Sequence, residues 1–224
     1  MKKAFIVAMV VVSILSGQSF AYIGSLQVAD GELNGTGFWI TDNSEPAWFP
    51  AELSWSVTQN VNLTWHYEYN LNVYRADVSH FVIETSQTFG SADLINPDYP
   101  GASYAIGTWD SSQGNSNPSI PGPVYGVKFN IGNAAVSEPQ YTNINVIFDS
   151  TRAPVWGDFY AKCGAVGGTQ NTIWNESFLT ADPLSGPADG SVLNHILVPD
   201  SIPEPATMML LGLGGFMLKR KRQA

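Results

Sequence analysis

The chain has little of what catalysis or nucleic-acid binding would need. Its 224 residues include one cysteine, Cys163, so no intramolecular disulfide can form and burial must hold the fold together. There are three histidines, His66, His80 and His195, and no two of them have metal-ligand spacing. No G-x-S-x-G elbow, Walker loop, H-E-x-x-H or Cys/His cluster occurs, so the sequence offers no catalytic residues and the expectation is a protein that is not an enzyme. Cations are scarce in the body. Between residues 22 and 202 only Arg75, Lys128, Arg152 and Lys162 stand against 18 acidic residues, a net charge of −14 where the whole chain carries −9. Neutralising phosphates requires clustered Lys and Arg, so nucleic acid and anionic lipid headgroups are excluded as partners. A long amphipathic helical pattern is also missing, as is any internal repeat.

What the chain does have lies first at its ends. Lys2-Lys3 precede an apolar stretch from Ala4 to Leu15, and Ser19-Phe20-Ala21 places small residues at the two positions a signal peptidase reads. Residues 1–21 are therefore expected to form a signal helix cleaved after Ala21. At the other end Ile202-Pro203-Glu204-Pro205 is followed by an apolar run, Ala206 to Leu218, and by Lys219-Arg220-Lys221-Arg222. The two prolines fix their own φ and push their neighbours toward extended backbone, so they cannot join the helix that follows. That helix, 206–218, would span about 20 Å against roughly 30 Å of bilayer hydrocarbon. The basic cluster acts as a membrane stop on the cytoplasmic side, which places everything before it outside.

This order of extended motif, short apolar helix and basic stop resembles the C-terminal signal of PEP-CTERM proteins. The resemblance implies that an exosortase of the inner membrane recognises Pro203, Glu204 and Pro205, removes or exchanges the tail of residues 201–224, and releases the body to the cell surface or extracellular matrix. A second resemblance covers the last third of the chain. Trp156-Gly157-Asp158-Phe159-Tyr160-Ala161-Lys162, Trp174-Asn175 and Asn194-His195-Ile196-Leu197-Val198-Pro199 are similar to the corresponding part of other exported proteins with the same tail, and carry no known catalytic residues with them.

Residues 22–200 read as one β domain. From Asn62 to Val73, Leu63, Trp65, Tyr67, Tyr69, Leu71 and Val73 alternate with polar residues, and period two means one buried face and one wet face. So long a run predicts a bulge or bend. Leu53, Trp55 and Val57 repeat the pattern upstream and should pair with it as an antiparallel hairpin, with Trp55 and Trp65 in the core. Further strands are expected at 38–41, 78–85, 102–109, 124–130, 143–149, 155–162, 172–174 and 195–198, with turns at Asn34-Gly35, Pro100-Gly101, Pro121-Gly122-Pro123 and Asp189-Gly190. Ser91 to Leu94 reads as one helical turn capped by Ser91. The fold class is an all-β antiparallel sandwich of eight to ten strands in two sheets, with a jelly roll as one arrangement that fits.

Binding chemistry inside the body rests on weaker patterns. His66 and Glu68 share one face of a strand, where a solvated polar surface is the ordinary reading. No metal site is assigned; calcium is the ion that Asp182, Asp189 and the loop between them, or Asp30 and Glu32, would take, because hard cations prefer oxygen. Paired carboxylates for glycoside hydrolysis stay open, since sequence gives no distances. A carbohydrate-binding alternative, with extracellular polysaccharide as partner, would use Trp39, Trp48, Trp109 or Trp174 if their rings are exposed. The loop from Ser111 to Pro123 is expected to be a flexible surface feature, and Cys163 a small buried residue.

Overall fold

A computed structural model describes residues 21–41, 51–74, 77–131, 141–166 and 169–201. The expected signal segment up to Phe20, Trp48 and the tail beyond Ser201, with its motif and the helix expected at 206–218, lie outside the described residues. The described residues form thirteen strands: β1 (Ala21–Gln27), β2 (Leu33–Thr36), β3 (Glu52–Gln59), β4 (Trp65–Tyr74), β5 (Val78–Glu84), β6 (Leu94–Asp98) and β7 (Gly101–Trp109). They continue with β8 (Val124–Ile131), β9 (Tyr141–Ser150), β10 (Ala153–Gly157), β11 (Phe159–Val166), β12 (Thr169–Asn175) and β13 (Ile196–Ser201). One sheet runs β1-β3-β4-β9-β6, a second β2-β12-β11-β5-β8-β7, and β10 pairs with β13 in a separate ribbon; all pairings are antiparallel. No helix among the described residues is long and apolar enough to cross a membrane.

The expected all-β sandwich is what forms. Tyr67, Tyr69, Leu71 and Val73 point inward from β4, and the hairpin partner β3 contributes Leu53, Trp55 and Val57, all buried. Facing them are Phe81 and Ile83 of β5, Val127 and Phe129 of β8, and Phe159 and Ala161 of β11, joined in one apolar core. Aromatic contacts bridge the sheets, with Tyr69 to Phe81 at 6.0 Å and Phe129 to Phe148 at 5.8 Å between ring centroids. The outward face of β4 is wet. Asn70 donates to Asn143 at 3.0 Å, and Asn143 donates back at 2.9 Å.

The six-stranded sheet is covered on both sides, which a period-two reading misses. Val82, Val124 and Tyr160 turn away from the main core and form a second cluster with Ile120 and Phe178. The segment from Ser111 to Pro123 lies at the surface, with Ser111 to Gly114 exposed, but is pinned to the sheet by the buried Asn117 and Ile120.

Other expectations need correction. Residues 38–41 form a single helical turn, Phe38–Thr41, and not a strand; Gly37, with φ of 78°, turns the chain just before it. Leu63 is 73% exposed with φ of 69°, so it belongs to the turn, the strand starting at Trp65. Trp65 is only half-buried, stacked on Tyr22. The register of β3 with β4 is unbroken, without the anticipated bulge. Residues 155–162 divide into β10 and β11 at Asp158. Asn34-Gly35 lies in β2 rather than in a turn; a Cβ on Gly35 would come within 2.0 Å of the Thr172 carbonyl oxygen, so close strand approach is what requires glycine there. The helical turn Ser91–Asp93 is capped from Gly90, whose N–H donates to Asp93 Oδ2 at 3.0 Å, and not by Ser91. β1, β2 and β6, unassigned in the sequence reading, raise the strand number above the expected eight to ten.

Candidate functional site

The site grows from the break between β10 and β11. Gly157 is the last residue of β10, and close packing requires glycine there: a Cβ would lie 2.6 Å from Val198 and 3.2 Å from Glu84 Oε2. Asp158 follows, outside both ladders. Its N–H donates to Glu84 Oε2 at 2.8 Å, and its carbonyl accepts from the Glu84 N–H at 3.0 Å. Asn175, at the end of β12, donates from Nδ2 to Asp158 Oδ1 at 2.6 Å and accepts from the Phe159 N–H at 3.0 Å. The segment after β12 then doubles over this corner and returns at His195, just before β13.

His195 is fully buried. Its Nδ1 lies 3.1 Å from Asp158 Oδ1 and 3.5 Å from Asp182 Oδ1, and its Nε2 lies 3.1 Å from Thr180 Oγ1. Asp158 is also buried, while the Asp182 side chain is 46% exposed. Glu84, Thr180 and Asp182 line a cleft of about 240 Å³ with Asp158 at its wall. Among the described residues, Asp158, Asp182 and His195 are the one group of three or more His, Cys, Asp or Glu side chains whose donor atoms all lie within 4.8 Å of one another. Asp158, Asn175 and His195 come from the three sequence segments whose resemblance to other exported proteins was noted above, and they meet here.

Two carboxylates this close approach the roughly 5–5.5 Å separation of a retaining glycosidase. Asp158, however, is buried and held by Asn175.

The other candidates are dispersed. Asp189 accepts from the Ile23 N–H at 3.1 Å and stands outside the group that contains Asp182. Glu32 accepts from the Gln27 N–H at 3.0 Å, an ordinary turn contact, and neither it nor Asp30 joins a three-donor group. His66 pairs with Asp149 across the strands at 2.8 Å and not with Glu68. Cys163 is buried as expected, its sulfur accepting from the Asn171 N–H at 3.2 Å. Trp39 is buried, Trp174 stacks on Tyr160, and Trp109 donates to the Gly126 carbonyl at 3.1 Å with Lys128 over its ring. No tryptophan among the described residues is an exposed platform. A larger depression of about 600 Å³ beside β1 and β3 is lined by Glu32, Glu52 and Ser54. Its Trp55 is buried against Gly24, so that ring cannot stack a sugar either.

Among the described residues the cations, Lys128, Arg152 and Lys162, are buried. Arg152 is buried and its Nε lies 3.0 Å from Asp93 Oδ1. Burial works against the Asp93 charge, but hydrogen bonds from Arg152, Thr151 and Gly90 hold its carboxyl below the ordinary value. Lys128 donates to Asn117 Oδ1 at 2.8 Å; burial, reinforced by Lys162, pushes its ammonium down to about 8. Burial and these two lysines lower His80 to about 4, so it stays neutral near pH 7.

Fold and surface together define an acidic β-sandwich with one closed polar corner. Residues 201–222 match the family model described as PEP-CTERM protein-sorting motif, so the chain carries a PEP-CTERM sorting motif, the mark of an exported, surface-directed protein. No curated protein and no solved structure matches the chain.

Proposed function

We propose that the body is non-enzymatic cargo, a soluble acidic module placed at the cell surface or in the extracellular matrix after exosortase has acted at Pro203-Glu204-Pro205. The observation that carries this reading is the junction of domain and motif. The last residue of β13, Ser201, pairs with Ala153, and the family match begins at that same residue. The sorting segment is therefore joined to the sandwich without a linker, and the folded body travels with it. In this account signal peptidase cuts after Ala21, the apolar run 206–218 and Lys219 to Arg222 hold the chain in the inner membrane, and exosortase then frees the acidic domain. The high negative charge keeps the released domain dispersed and makes cations its natural companions.

Transfer of residues 201–224 to an unrelated exported reporter tests the tail alone. The reporter is expected at the cell surface or in the medium of a strain with exosortase, and in the inner membrane of a strain without it. Identical distribution in the two strains would overturn the reading.

A further inference from the structure

We propose that Asp158, Asp182 and His195 bind a divalent first-row transition ion of the zinc class, through one oxygen of each carboxylate and Nδ1 of the imidazole. The hydrogen bonds around His195 set its tautomer. Thr180 Oγ1 donates its one proton to the Ser177 carbonyl at 2.8 Å, so toward His195 it accepts, and Nε2 carries the ring proton. In the neutral ring Nδ1 is then a lone pair, fully buried beside two acids. It has no hydrogen-bond partner although oxygens stand 3.1 and 3.5 Å away, because the ring nitrogen is aimed at neither of them. A lone pair and two carboxylates repel one another in a desolvated corner. A cation between them converts that repulsion into coordination.

The spacing suits the ion. Bonds of about 2.0–2.2 Å in a tetrahedral shell place donor atoms roughly 3.4 Å apart, and the two separations at Nδ1 bracket that distance. A nitrogen donor favours zinc-class ions over calcium or magnesium, which take oxygen. The outer contacts have the form such sites use: Asn175 steadies Asp158 Oδ1 and Thr180 steadies Nε2 of the imidazole. Asp182 is half exposed at the cleft, which admits the ion and leaves room for water as a remaining ligand. Bound there, the ion ties both ends of the long segment between β12 and β13 to the β10–β11 corner, next to the strand that leads into the sorting motif.

The full chain, purified in detergent and stripped with chelator, is titrated with Zn²⁺ by calorimetry and with Co²⁺ by visible absorption. One ion per chain is expected, with a raised melting temperature and Co²⁺ bands of a nitrogen and oxygen shell. Asp182→Asn, at a half-exposed position that tolerates change, is expected to weaken binding more than tenfold, and Thr180→Val about 10–100-fold. Wild type that binds neither ion, or variants that bind as wild type does, would overturn the site. So would ring NMR of His195 showing two N–H protons unaltered by Zn²⁺, since that is an imidazolium paired with two acids.

Discussion

Replacing Pro203 and Pro205 together with alanine is expected to leave the chain full length in the inner membrane, with nearly complete loss of the released form. The argument is conformational. Pro203 and Pro205 lock φ and disfavour helix at the residues before them. Alanine is the best helix former, and two of them beside the apolar run beginning at Ala206 would let the membrane helix grow back toward Ser201. Glu204 and the basic stop are untouched, so charge and membrane orientation stay constant. Immunoblots of separated membranes and medium read the outcome. Normal release of the double variant would show that the prolines are not what the enzyme reads.

Phe148→Ala is expected to cost about 3–5 kcal/mol of unfolding free energy, the usual range for emptying a large aromatic site. Phe148, on β9, is 1% exposed and lies 5.3 Å from Tyr67, 6.1 Å from Tyr69 and 5.8 Å from Phe129, ring centroid to centroid. It therefore joins its own sheet to the facing one at the centre of the sandwich, in a chain whose lone cysteine allows no internal disulfide to limit the loss. Denaturant unfolding measures the change, with Val61→Ala, at a fully exposed turn position, as a control expected within about 0.5 kcal/mol of wild type. A loss below about 1 kcal/mol for Phe148→Ala would mean that the two sheets do not pack around this ring.

The parts of the fold that were legible in the sequence are those with one buried face. β3 and β4 alternate apolar and polar residues because the far side of their sheet is in water, and their pairing followed from that pattern. β5, β8 and β11 break alternation because a second apolar cluster covers their outer side. The approximate positions of these strands were readable and their two-sided burial was not. β2 was hidden by Asn34-Gly35, a turn signal used here for close backbone approach. Phe38–Thr41, apolar and strand-like in composition, turns helical directly after the left-handed Gly37. The sorting motif was legible because its message is linear, and residues 201–222 match the family model for it.

The polar corner is the opposite case. Asp158, Asp182 and His195 are far apart in sequence and come together only because β10 stops at Gly157 and the segment after β12 folds back over the break. The sequence pattern groups Asp182 with Asp189 as oxygen donors, but Asp189 stands outside the group that contains Asp182. Asp189 instead secures the start of β1 through the Ile23 N–H. The one signal that pointed at this corner was the set of segments containing Asp158, Asn175 and His195, read as a resemblance and without any way to know that they touch.

The central claim is that both ends of this chain are addresses and the acidic sandwich between them is what is delivered. Intact-mass measurement of the protein recovered from outside the cell tests it most directly. The account predicts a polypeptide that begins at Tyr22 and ends before the apolar run at Ala206. Recovery of the uncut 224-residue chain, with both ends in place and confined to the cytosol, would contradict it.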